Sequence, residues 1–466
     1  MKIVRTLIAA AAPLALSACA LSPPAPKVDV LAPAEWQAAP AHNGSLTDLA
    51  SWWQRQGDPL LAQLIDSAQA ASPTVSAARA RIAQSRAERV AAGAAQLPSV
   101  DAAASISRSN QQSALPTGTT SQAGFQAAWE IDVFGARRAE SRAAAERLAG
   151  ANAGWHDARV SVAAETANQY YALRACGLLL AVAEQDAASR DDTSRLTQLT
   201  TDAGFQSPAT AALARASAAE GRGRATQQRA LCDLDVKALV ALTAMPEPAL
   251  RAKLAGAAAM PVQPIEISAL PAQTLAQRPD VFNAEREVAA ASADVGSALA
   301  QRYPRLSLQG AVGIANFRTG GENTRLDTWT IGPVALTLPI FDAGRRSANT
   351  DAARARYDNA VVTYRAVARQ AVREVEEALV NLRSTAQRSD DAQTALDGYR
   401  YSFRATEDLY KNGLASLLQL EDARRTRLTA ENTVVTLQRE RNAAWIALYR
   451  AAGGGWTAAS NAVAIK

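Results

Sequence analysis

The chain has 466 residues, of which 5% are aromatic, and this composition favours long helices over several compact cores. Alanine, arginine, glutamine, glutamate and leucine are strong helix formers, and alanine lets neighbouring helices pack closely. The formal charge of +5 is spread over stretches in which Lys and Arg alternate with Asp and Glu, which is typical of solvated helix faces. No basic patch stands out, so we expect no nucleic-acid partner.

A short basic and then apolar leader opens the chain. Its apolar stretch ends at Leu16 and is too short to span a bilayer as a helix. Leu16-Ser17-Ala18-Cys19 has the form of a lipobox, which predicts that residues 1–18 are a lipoprotein signal peptide and that Cys19 carries covalent lipid. The alternative, a secretory signal without lipid, leaves this cysteine unexplained. Ala20 favours the outer membrane, so we expect a protein anchored there by lipid, with a long periplasmic part and no other cofactor.

The mature sequence contains an internal duplication, in which three short segments recur in the same order roughly 200 residues later. The matching segments are Gln96-Leu97-Pro98 with Arg302-Tyr303-Pro304, Val133-Phe134-Gly135 with Ile340-Phe341-Asp342, and Ala203-Gly204-Phe205 with Asn412-Gly413-Leu414. The duplication predicts two structural repeats. With the flanking parts, the predicted divisions are an N-terminal segment at 19–57, a first repeat at 58–257, a second repeat at 258–456 and a C-terminal tail at 457–466.

Each repeat shows the same order of predicted elements. A helix begins at a proline, Pro73 or Pro279, because proline suits the first helical position. Two extended stretches follow around a polar loop, and a very long helix comes next. A glycine, Gly204 or Gly413, then ends that helix, and a shorter helix returns. The predicted strands are 98–108, 121–133, 304–318 and 327–340, and the predicted long helices are 136–202 and 345–412.

The predicted strands alternate in part, since Leu306, Leu308, Val312 and Ile314 would point to one side and polar residues to the other. Strands of about ten residues can cross a bilayer, whereas no apolar run after the leader approaches the roughly 20 residues that a membrane helix needs. A soluble hairpin would look similar, so alternation alone leaves both readings open. Four strands cannot close on themselves, and unpaired backbone groups are costly in lipid, so a membrane sheet would require several copies.

Cys176 and Cys232 remain once Cys19 is assigned to lipid. Cys176 precedes the turn at Phe205 by nearly as many residues as Cys232 follows it, so both would lie at a similar height in an antiparallel helical hairpin. A disulfide between them is permitted outside the cytoplasm. Height does not decide whether the two side chains face each other, so two buried thiols remain the alternative.

Several motifs, taken in order, resemble those of outer-membrane factors of the TolC/OprM type, nearest the lipoprotein branch often described as NodT-like. They are Arg278-Pro279-Asp280, Tyr303-Pro304, the segment from Leu338 to Arg345 and the segment from Gly413 to Ala423. The resemblance covers nearly all of the mature chain. It implies a mainly α fold with membrane β-strands: a homotrimer whose twelve-stranded β-barrel in the outer membrane continues into a twelve-helix α-barrel, with two structural repeats per chain.

The resemblance also implies partners. A periplasmic adaptor, or membrane fusion protein, would dock on the helix turns, and an inner-membrane pump of the resistance-nodulation-division or ABC type would supply substrate and energy. The turn residues that match the docking positions are Gly204, Phe205, Ser207, Gly413, Leu414, Ala415 and Ser416. The alternative is that the two glycines serve only to end helices.

Leu418 and Asp422 match the apolar and acidic rings of the family's periplasmic gate. They lie four residues apart and therefore on one helix face. Some relatives carry a second acid where this chain has Gln419, and an acid in the first repeat where it has Thr210, so a cation site at the gate is not expected to be complete. Asp422 could instead pair with Arg424 or Arg425 on a wet surface.

The resemblance implies a passive efflux duct in the outer membrane, with a gate at its periplasmic end. The alternative is a periplasmic coiled-coil adaptor or structural lipoprotein without a pore. An enzyme is not expected, because His42 and His156 lie far apart and no nucleotide loop or metal cluster appears. Drugs, metals, organic acids and proteins all remain open as substrates, since a wide duct contacts its cargo little.

Overall fold

In the computed structural model, the described residues are 22–30, 32–33, 36–38, 49, 51–110, 117–255 and 271–457. The predicted signal peptide and Cys19 lie outside the described residues. Among the described residues, no helix is both long enough and apolar enough to cross a membrane.

The described residues form long helices and one small sheet. The helices are α1 Trp52–Arg55, α2 Pro59–Ala71, α3 Pro73–Ala94, α4 Ala136–Asp202, α5 Pro208–Thr243, α6 Glu247–Ala255, α7 Pro271–Ala276, α8 Pro279–Ala300, α9 Arg345–Lys411 and α10 Leu417–Ala451. The strands are β1 Ser99–Ser109, β2 Gly118–Ile131, β3 Arg305–Thr319 and β4 Glu322–Thr337. The predicted mainly α fold with a small β component is confirmed.

The two long helices, α4 and α9, have 67 residues each. At about 1.5 Å per residue, each is about 100 Å long. Neither contains a proline, and both are rich in small or unbranched residues, so nothing in their sequences breaks the backbone ladder. Both predicted helices are therefore confirmed, with α9 ending one residue earlier than expected.

The chain divides into two compact units, and each takes segments from both predicted repeats. The first, which we call the strand unit, contains Ala80–Asn152 and Phe282–Val367 with the described residues up to Val30. The second, which we call the helical unit, contains the described residues of Leu31–Arg79, Ala153–Val281 and Ala368–Lys466. The predicted repeat boundaries follow the sequence rather than these units and stay a prediction.

The strand unit contains an antiparallel sheet in the order β1-β2-β3-β4, with a register shift between Leu308 and Gly310. Strands β2 and β4 begin three and five residues earlier than predicted. The cause in β4 is a tight turn, because Gly320 and Gly321 both adopt positive φ and pairing resumes at once at Glu322.

The register separates the sheet into two different faces. Side chains two residues apart share a face, and paired residues on neighbouring strands lie side by side. One face carries large, exposed apolar side chains, and we call it the apolar face. They are Val100, Ile106, Phe125, Trp129, Val312, Ile314, Trp329, Ile331, Val334 and Leu336.

The opposite face of the sheet is mostly polar and small. It carries Asp101, Gln122, Gln126, Glu130 and Gln309, together with alanine, glycine, serine and threonine. Phe317 and Leu326 are the apolar exceptions, and both lie near the hairpin loops. This sheet is therefore not half of a soluble core, since its apolar side is the exposed one.

Helices α4 and α8 pack together within the strand unit through small and charged residues. Ala143 contacts Ala290 and Ala293 in a small apolar cluster. Arg147 Nη2 lies 2.5 Å from Asp294 Oδ2, and Arg286 pairs with Glu146 at 3.0 Å.

Residues 22–30, which we call the N-terminal strap, are held on α8 and α9 of the strand unit. Ser292 Oγ donates to the Pro24 carbonyl at 2.6 Å, and Tyr357 Oη donates to the Ala25 carbonyl at 2.9 Å. Val28 packs against the cluster that contains Val288 and Ala360. Because both hydrogen bonds are accepted by backbone carbonyl groups of the strap, they hold its main chain in place, and the Val28 contact adds to them.

The helical unit has the main apolar core, built around Trp52, Trp53 and Tyr449, whose rings lie within 5 Å of one another by centroid distance. Asp58 begins α2 by accepting from two backbone N–H groups, and its other oxygen accepts from Tyr170 Oη at 2.5 Å. Burial, followed by the bond to Asp58, raises the pKa of Tyr170 to about 12, so this hydroxyl stays a donor at physiological pH.

The Arg278-Pro279-Asp280 motif acquires a structural explanation in this unit. The buried Arg278 bonds both oxygens of Asp280 at 3.0 and 2.7 Å, pairs with Glu374 at 2.8 Å and donates to the Ala451 carbonyl at 3.0 Å. Burial alone would lower the pKa of Arg278, but these carboxylates outweigh it and raise that pKa. The motif thus ties the start of α8 to α9 and to the end of α10.

Candidate channel aperture

The two predicted docking turns in the helical unit have the same backbone construction. In the first, Gly204 has φ +82° and donates to Thr201 O, while Phe205 N–H donates to Thr200 O at 2.8 Å. In the second, Gly413 has φ +73°. These patterns are Schellman motifs, which need a left-handed residue that glycine adopts without strain. The glycines are therefore required as helix ends, whatever else binds there.

Each turn is followed by a capped helix. Ser207 Oγ accepts from Thr210 N at 3.1 Å, and Ser416 Oγ accepts from Gln419 N at 3.3 Å. Gln419 Oε1 accepts in return from Ser416 N at 2.7 Å, which completes a capping box. Gln419 thus has a structural role at the position where some relatives were expected to carry an acid.

The turn side chains divide into exposed and packed ones. Phe205 and Leu414 are 83% and 75% exposed, whereas Ala415 packs on a cluster with Phe403, Tyr410, Leu417 and Leu420. Two large exposed apolar side chains at helix turns form a surface suited to a protein partner. The docking role of these residues stays a prediction.

The predicted gate residues lie on the first turns of α10. Leu418 is 73% exposed, although Leu417 and Leu420 on either side of it are buried. Asp422 Oδ1 accepts from Arg425 Nη2 at 2.5 Å, and both side chains are exposed. This is a contact within one helix, so in a single chain Asp422 does not tie α10 to another helix. Both side chains are exposed in the single chain, and their gate role stays a prediction.

Next to these residues lies a buried charged network that no sequence pattern predicts. Arg190 on α4 donates to Glu421 Oε2 on α10 at 2.5 Å, to Asp186 Oδ2 at 2.8 Å and to Ser217 Oγ on α5 at 2.5 Å. Arg424 is fully buried and pairs with the other oxygen of Glu421. Glu421, the neighbour of the predicted gate acid, therefore links α10 to α4.

Arg424 extends this network across the helices. Its Nη2 donates to Thr193 Oγ1 at 2.8 Å and to Ser189 Oγ at 3.1 Å, both on α4. Burial lowers the pKa of Arg424, although Glu421 opposes that shift. Arg424 Nε and Asp186 Oδ1 are buried without a hydrogen-bond partner. The network is thus strongly coupled but not fully satisfied, a combination that makes its partners sensitive to substitution.

The long helices of the two repeats, α4 and α9, also meet through an uncharged contact near the C-terminal end of α9. Tyr410 Oη and Thr197 Oγ1 lie 2.7 Å apart and are buried. Sequence reasoning had no means to find these pairs, because the partners are more than 200 residues apart. An internal duplication indicates that two helical hairpins exist, but not which faces they present to each other.

Cys176 and Cys232 are bonded in the structure, with Cα atoms 5.5 Å apart. The bond joins α4 to α5 within the helical unit, at the similar height inferred from the sequence. Within the described residues, no group of three or more His, Cys, Asp or Glu side chains could hold a metal ion.

Comparisons with known proteins agree with this architecture. The family model for outer membrane efflux proteins matches residues 64–244 and 270–454. The pyoverdine export outer membrane protein OpmQ of Pseudomonas aeruginosa is 29% identical, over 97% of both chains, and the solvent efflux pump outer membrane protein SrpC of Pseudomonas putida is 28% identical, over 96% of this chain and 98% of SrpC.

A solved structure of the outer-membrane channel OprN has the same fold, with a TM-score of 0.85 and 25% identity over 94% of this chain and 99% of OprN. The family and its structural neighbours are channels of the outer membrane. The family match spans both halves of the duplication and covers the sheet and both long helices. The chain belongs to the outer membrane efflux protein family.

Proposed function

We propose that three copies of this chain form the outer-membrane duct of a tripartite export system. An inner-membrane pump, of the resistance-nodulation-division or ABC type, delivers substrate, and a periplasmic adaptor connects pump and duct. Substrates pass through passively, so the chain itself carries no catalytic step. Family membership supports the outer-membrane location and the efflux role, and SrpC, whose name assigns it to a solvent efflux pump, is 28% identical.

The division of the sheet into an apolar and a polar face is the observation that carries the proposal. Ten large apolar side chains are exposed on one face, and the other face offers carboxylates, amides and small residues. A sheet in a bilayer needs an apolar side for lipid and tolerates a polar side only against water. A periplasmic adaptor without a pore has no use for such a surface, so the alternative reading loses its support.

The open edges of the sheet support a multimer. In one chain, β1 and β4 each have a single neighbouring strand among the described residues. Each unpaired backbone group in hydrocarbon costs several kcal/mol, so these edges must meet in a closed sheet. Three copies provide twelve strands, a number within the range of known membrane sheets of this kind.

The aperture is proposed to lie at Leu418 and Asp422, three copies of which would form an apolar and an acidic ring. We expect the wild-type protein in planar bilayers to conduct poorly and to prefer cations. Leu418→Ala should raise conductance on the order of twofold or more, and Asp422→Ala should weaken cation preference, because rings of apolar and acidic side chains control both properties.

Thr433→Ala, an exposed position farther along α10, is the matched control and should behave as wild type. If neither Leu418→Ala nor Asp422→Ala differs from this control, the gate lies elsewhere. If the wild-type protein inserts into bilayers but never conducts, the duct itself is wrong.

We also propose that Cys19 carries lipid and is the first residue of the mature chain. Lipid anchoring rests on the lipobox alone and is separate from the duct. Cys19→Ser should abolish labelling by a radioactive fatty acid and leave an uncleaved precursor, whereas Cys176→Ser should change neither. Labelled mature Cys19→Ser protein would contradict the anchor but not the channel.

A further inference from the structure

The apolar face ends, towards the hairpin loops, in a group of arginines. Arg108 on β1 is in register with Thr119 on β2, and Thr119 is in register with Arg318 on β3. Arg325 on β4 is in register with Asn316, two residues from Arg318. Because residues two apart share a face, all three arginines lie on the same side of the sheet as the apolar side chains.

The three arginines are close enough to act together. Adjacent strands are about 4.8 Å apart, so the Arg108 and Arg318 backbones are separated by about 10 Å, and Arg325 is offset from Arg318 by one strand and two residues. All three side chains are exposed, and none has an ion pair with a described residue. Long, flexible guanidinium side chains at this spacing can converge on one anion.

The charges around this group are predominantly positive. Asp327 is the acidic residue of the apolar face in these strands, and it follows Arg325 by two residues. Glu322, at the start of β4, belongs to the opposite face by the same alternation. Three guanidinium groups therefore face one carboxylate, and the remaining neighbours on this face, such as Thr119, Asn316 and Asn323, are neutral.

The position of the arginines along the strands, relative to the apolar side chains, indicates which layer of the bilayer they contact. Arg318 lies four residues beyond Ile314, about 13 Å along the strand. The apolar residues of β3, from Leu306 to Ile314, extend over about 27 Å of strand, or about 20 Å along the membrane normal at a tilt of about 40°, so they fill most of the roughly 25 Å apolar band of membrane sheets. The arginines thus lie just past the hydrocarbon, at the depth of lipid headgroups.

The hairpin-loop end of the sheet can also be assigned to one leaflet of the membrane. Strand β2 ends at Ile131 and α4 begins at Ala136, so the helices leave the sheet at the end opposite the hairpin loops. With the helices in the periplasm, the loop end faces the outer leaflet.

We propose that Arg108, Arg318 and Arg325 form a site for the phosphate groups of an anionic lipid headgroup in the outer leaflet. Guanidinium groups bind phosphate through paired, charge-assisted hydrogen bonds, and a lipid is the anion whose tail would lie along the apolar face below. The proposal goes beyond the duct function and rests on the sheet lying in the outer membrane. In an assembled multimer the site would recur once per chain around the sheet.

The test measures binding of a fluorescent bis-phosphorylated glucosamine lipid to the purified full chain in neutral detergent. The triple variant Arg108→Gln, Arg318→Gln, Arg325→Gln should lower affinity about tenfold or more, since several charge-assisted hydrogen bonds are lost. Arg305→Gln is the matched control, because Arg305 starts β3 on the polar face at the other end of the sheet. The dephosphorylated lipid should bind wild type and triple variant equally weakly.

A charge-retaining variant keeps the test decisive if the glutamine variant folds poorly. Arg108→Lys, Arg318→Lys, Arg325→Lys should bind more weakly than wild type but at least about threefold more tightly than the glutamine variant, because the positive charges remain while the paired guanidinium hydrogen bonds are lost. Equal loss in the lysine variant and unchanged affinity in the glutamine variant would each overturn the site. Displacement of the lipid by an equal concentration of inorganic phosphate would overturn the lipid as its ligand.

Conductance of the same variants in planar bilayers separates this proposal from the duct. The arginines lie on the lipid side, so wild type and the glutamine variant should conduct alike. A non-conducting wild type would count against the duct and leave the lipid-binding result to be judged by its own measurement.

Discussion

Single residues in the helical unit carry the clearest energetic consequences, and Glu421 and Asp422 offer a direct comparison. Glu421 accepts from the buried Arg190 at 2.5 Å and also pairs with the fully buried Arg424, whereas Asp422 pairs with an exposed arginine one turn away on its own helix. Adjacent acids in the sequence therefore occupy different environments, because the helix turns by about 100° from one residue to the next.

Glu421→Gln should destabilise the protein by about 2–4 kcal/mol, because it leaves two buried guanidinium groups short of a counter-charge. Asp422→Asn should cost less than about 0.5 kcal/mol, since exposed ion pairs contribute little. Thermal unfolding of the detergent-solubilised protein, followed by circular dichroism, measures both. Equal shifts in the two variants would contradict the assigned difference between buried and exposed pairs.

Asp157 provides a pH-dependent prediction in the same unit. Burial, followed by the nearby Asp280 carboxylate, raises the pKa of Asp157, although Arg450 and Arg278 act in the opposite direction. A carboxyl whose pKa is raised on folding contributes most to stability below its unfolded pKa, and that contribution is lost as the pH rises through the folded value.

Asp157→Asn should therefore raise the unfolding temperature at pH 7, where the ionised side chain disfavours the fold, and the gain should shrink towards pH 4. Asp66→Asn, at an exposed position on α2, is the control and should show no such trend. A gain in Asp157→Asn that is the same at both pH values would show that its charge is not responsible.

At the scale of elements, the disulfide between α4 and α5 closes a segment with a sequence separation of 56 residues. Closing a loop of this size restricts the unfolded chain, and removing a native bond of this kind typically costs about 2–4 kcal/mol. We expect the double variant Cys176→Ala, Cys232→Ala to lose about 2–4 kcal/mol of unfolding free energy and therefore to unfold at a lower temperature than wild type. Reductant should lower the unfolding temperature of wild type and leave the double variant unchanged.

Mass spectrometry after alkylation in non-reducing denaturant checks the bond itself. Neither Cys176 nor Cys232 should be modified before reduction, and both should be modified after it. Alkylation of both residues without reductant would mean that they are buried thiols, the alternative left open by the sequence.

The elements also show where sequence reasoning succeeds and where it stops. Helix α4 could be bounded correctly because no proline interrupts it before the turn at Gly204, and its start follows a turn at Gly135. The start of β4 could not, because Glu322–Leu326 neither alternates nor is apolar, and only pairing with β3 makes it a strand. The ion pair between Arg190 and Glu421 depends on helix rotation and on contacts distant in sequence, which no local pattern encodes.

At the scale of the whole molecule, the internal duplication predicts how one copy meets the next. Within a chain, Phe134 stacks on Tyr303 at 5.0 Å where β2 meets β3, and Ile131 is in register with Leu306. The equivalent residues at the outer edges, Phe341 and Leu97, are 89% and 66% exposed. We therefore expect β4 of one copy to pair with β1 of the next in the equivalent register.

In that register Leu338 of one copy lies opposite Val100 of the next. The double variant Val100→Cys, Leu338→Cys should form disulfides between chains on mild oxidation, up to a covalently closed multimer, because facing strands bring Cα atoms within about 7 Å. Ala104→Cys with Leu338→Cys is the control, on the same face but displaced by about 13 Å along the strand. Gel electrophoresis without reductant compares the cross-linking of the two cysteine pairs. Equal cross-linking of both pairs would contradict the proposed register.

The N-terminal strap limits the length of the linker between a lipid on Cys19 and the folded protein. The strap is fastened to α8 and α9 at Pro24 and Ala25, five residues or so after that cysteine. An extended chain spans at most about 3.6 Å per residue, so Cys19, to which the acyl chains would be attached, could lie no more than about 18 Å from Pro24. A lipid on so short a linker would keep the strand unit close to the leaflet that holds the lipid. Insertion of residues into this linker would allow a greater distance and would leave the lipid attached.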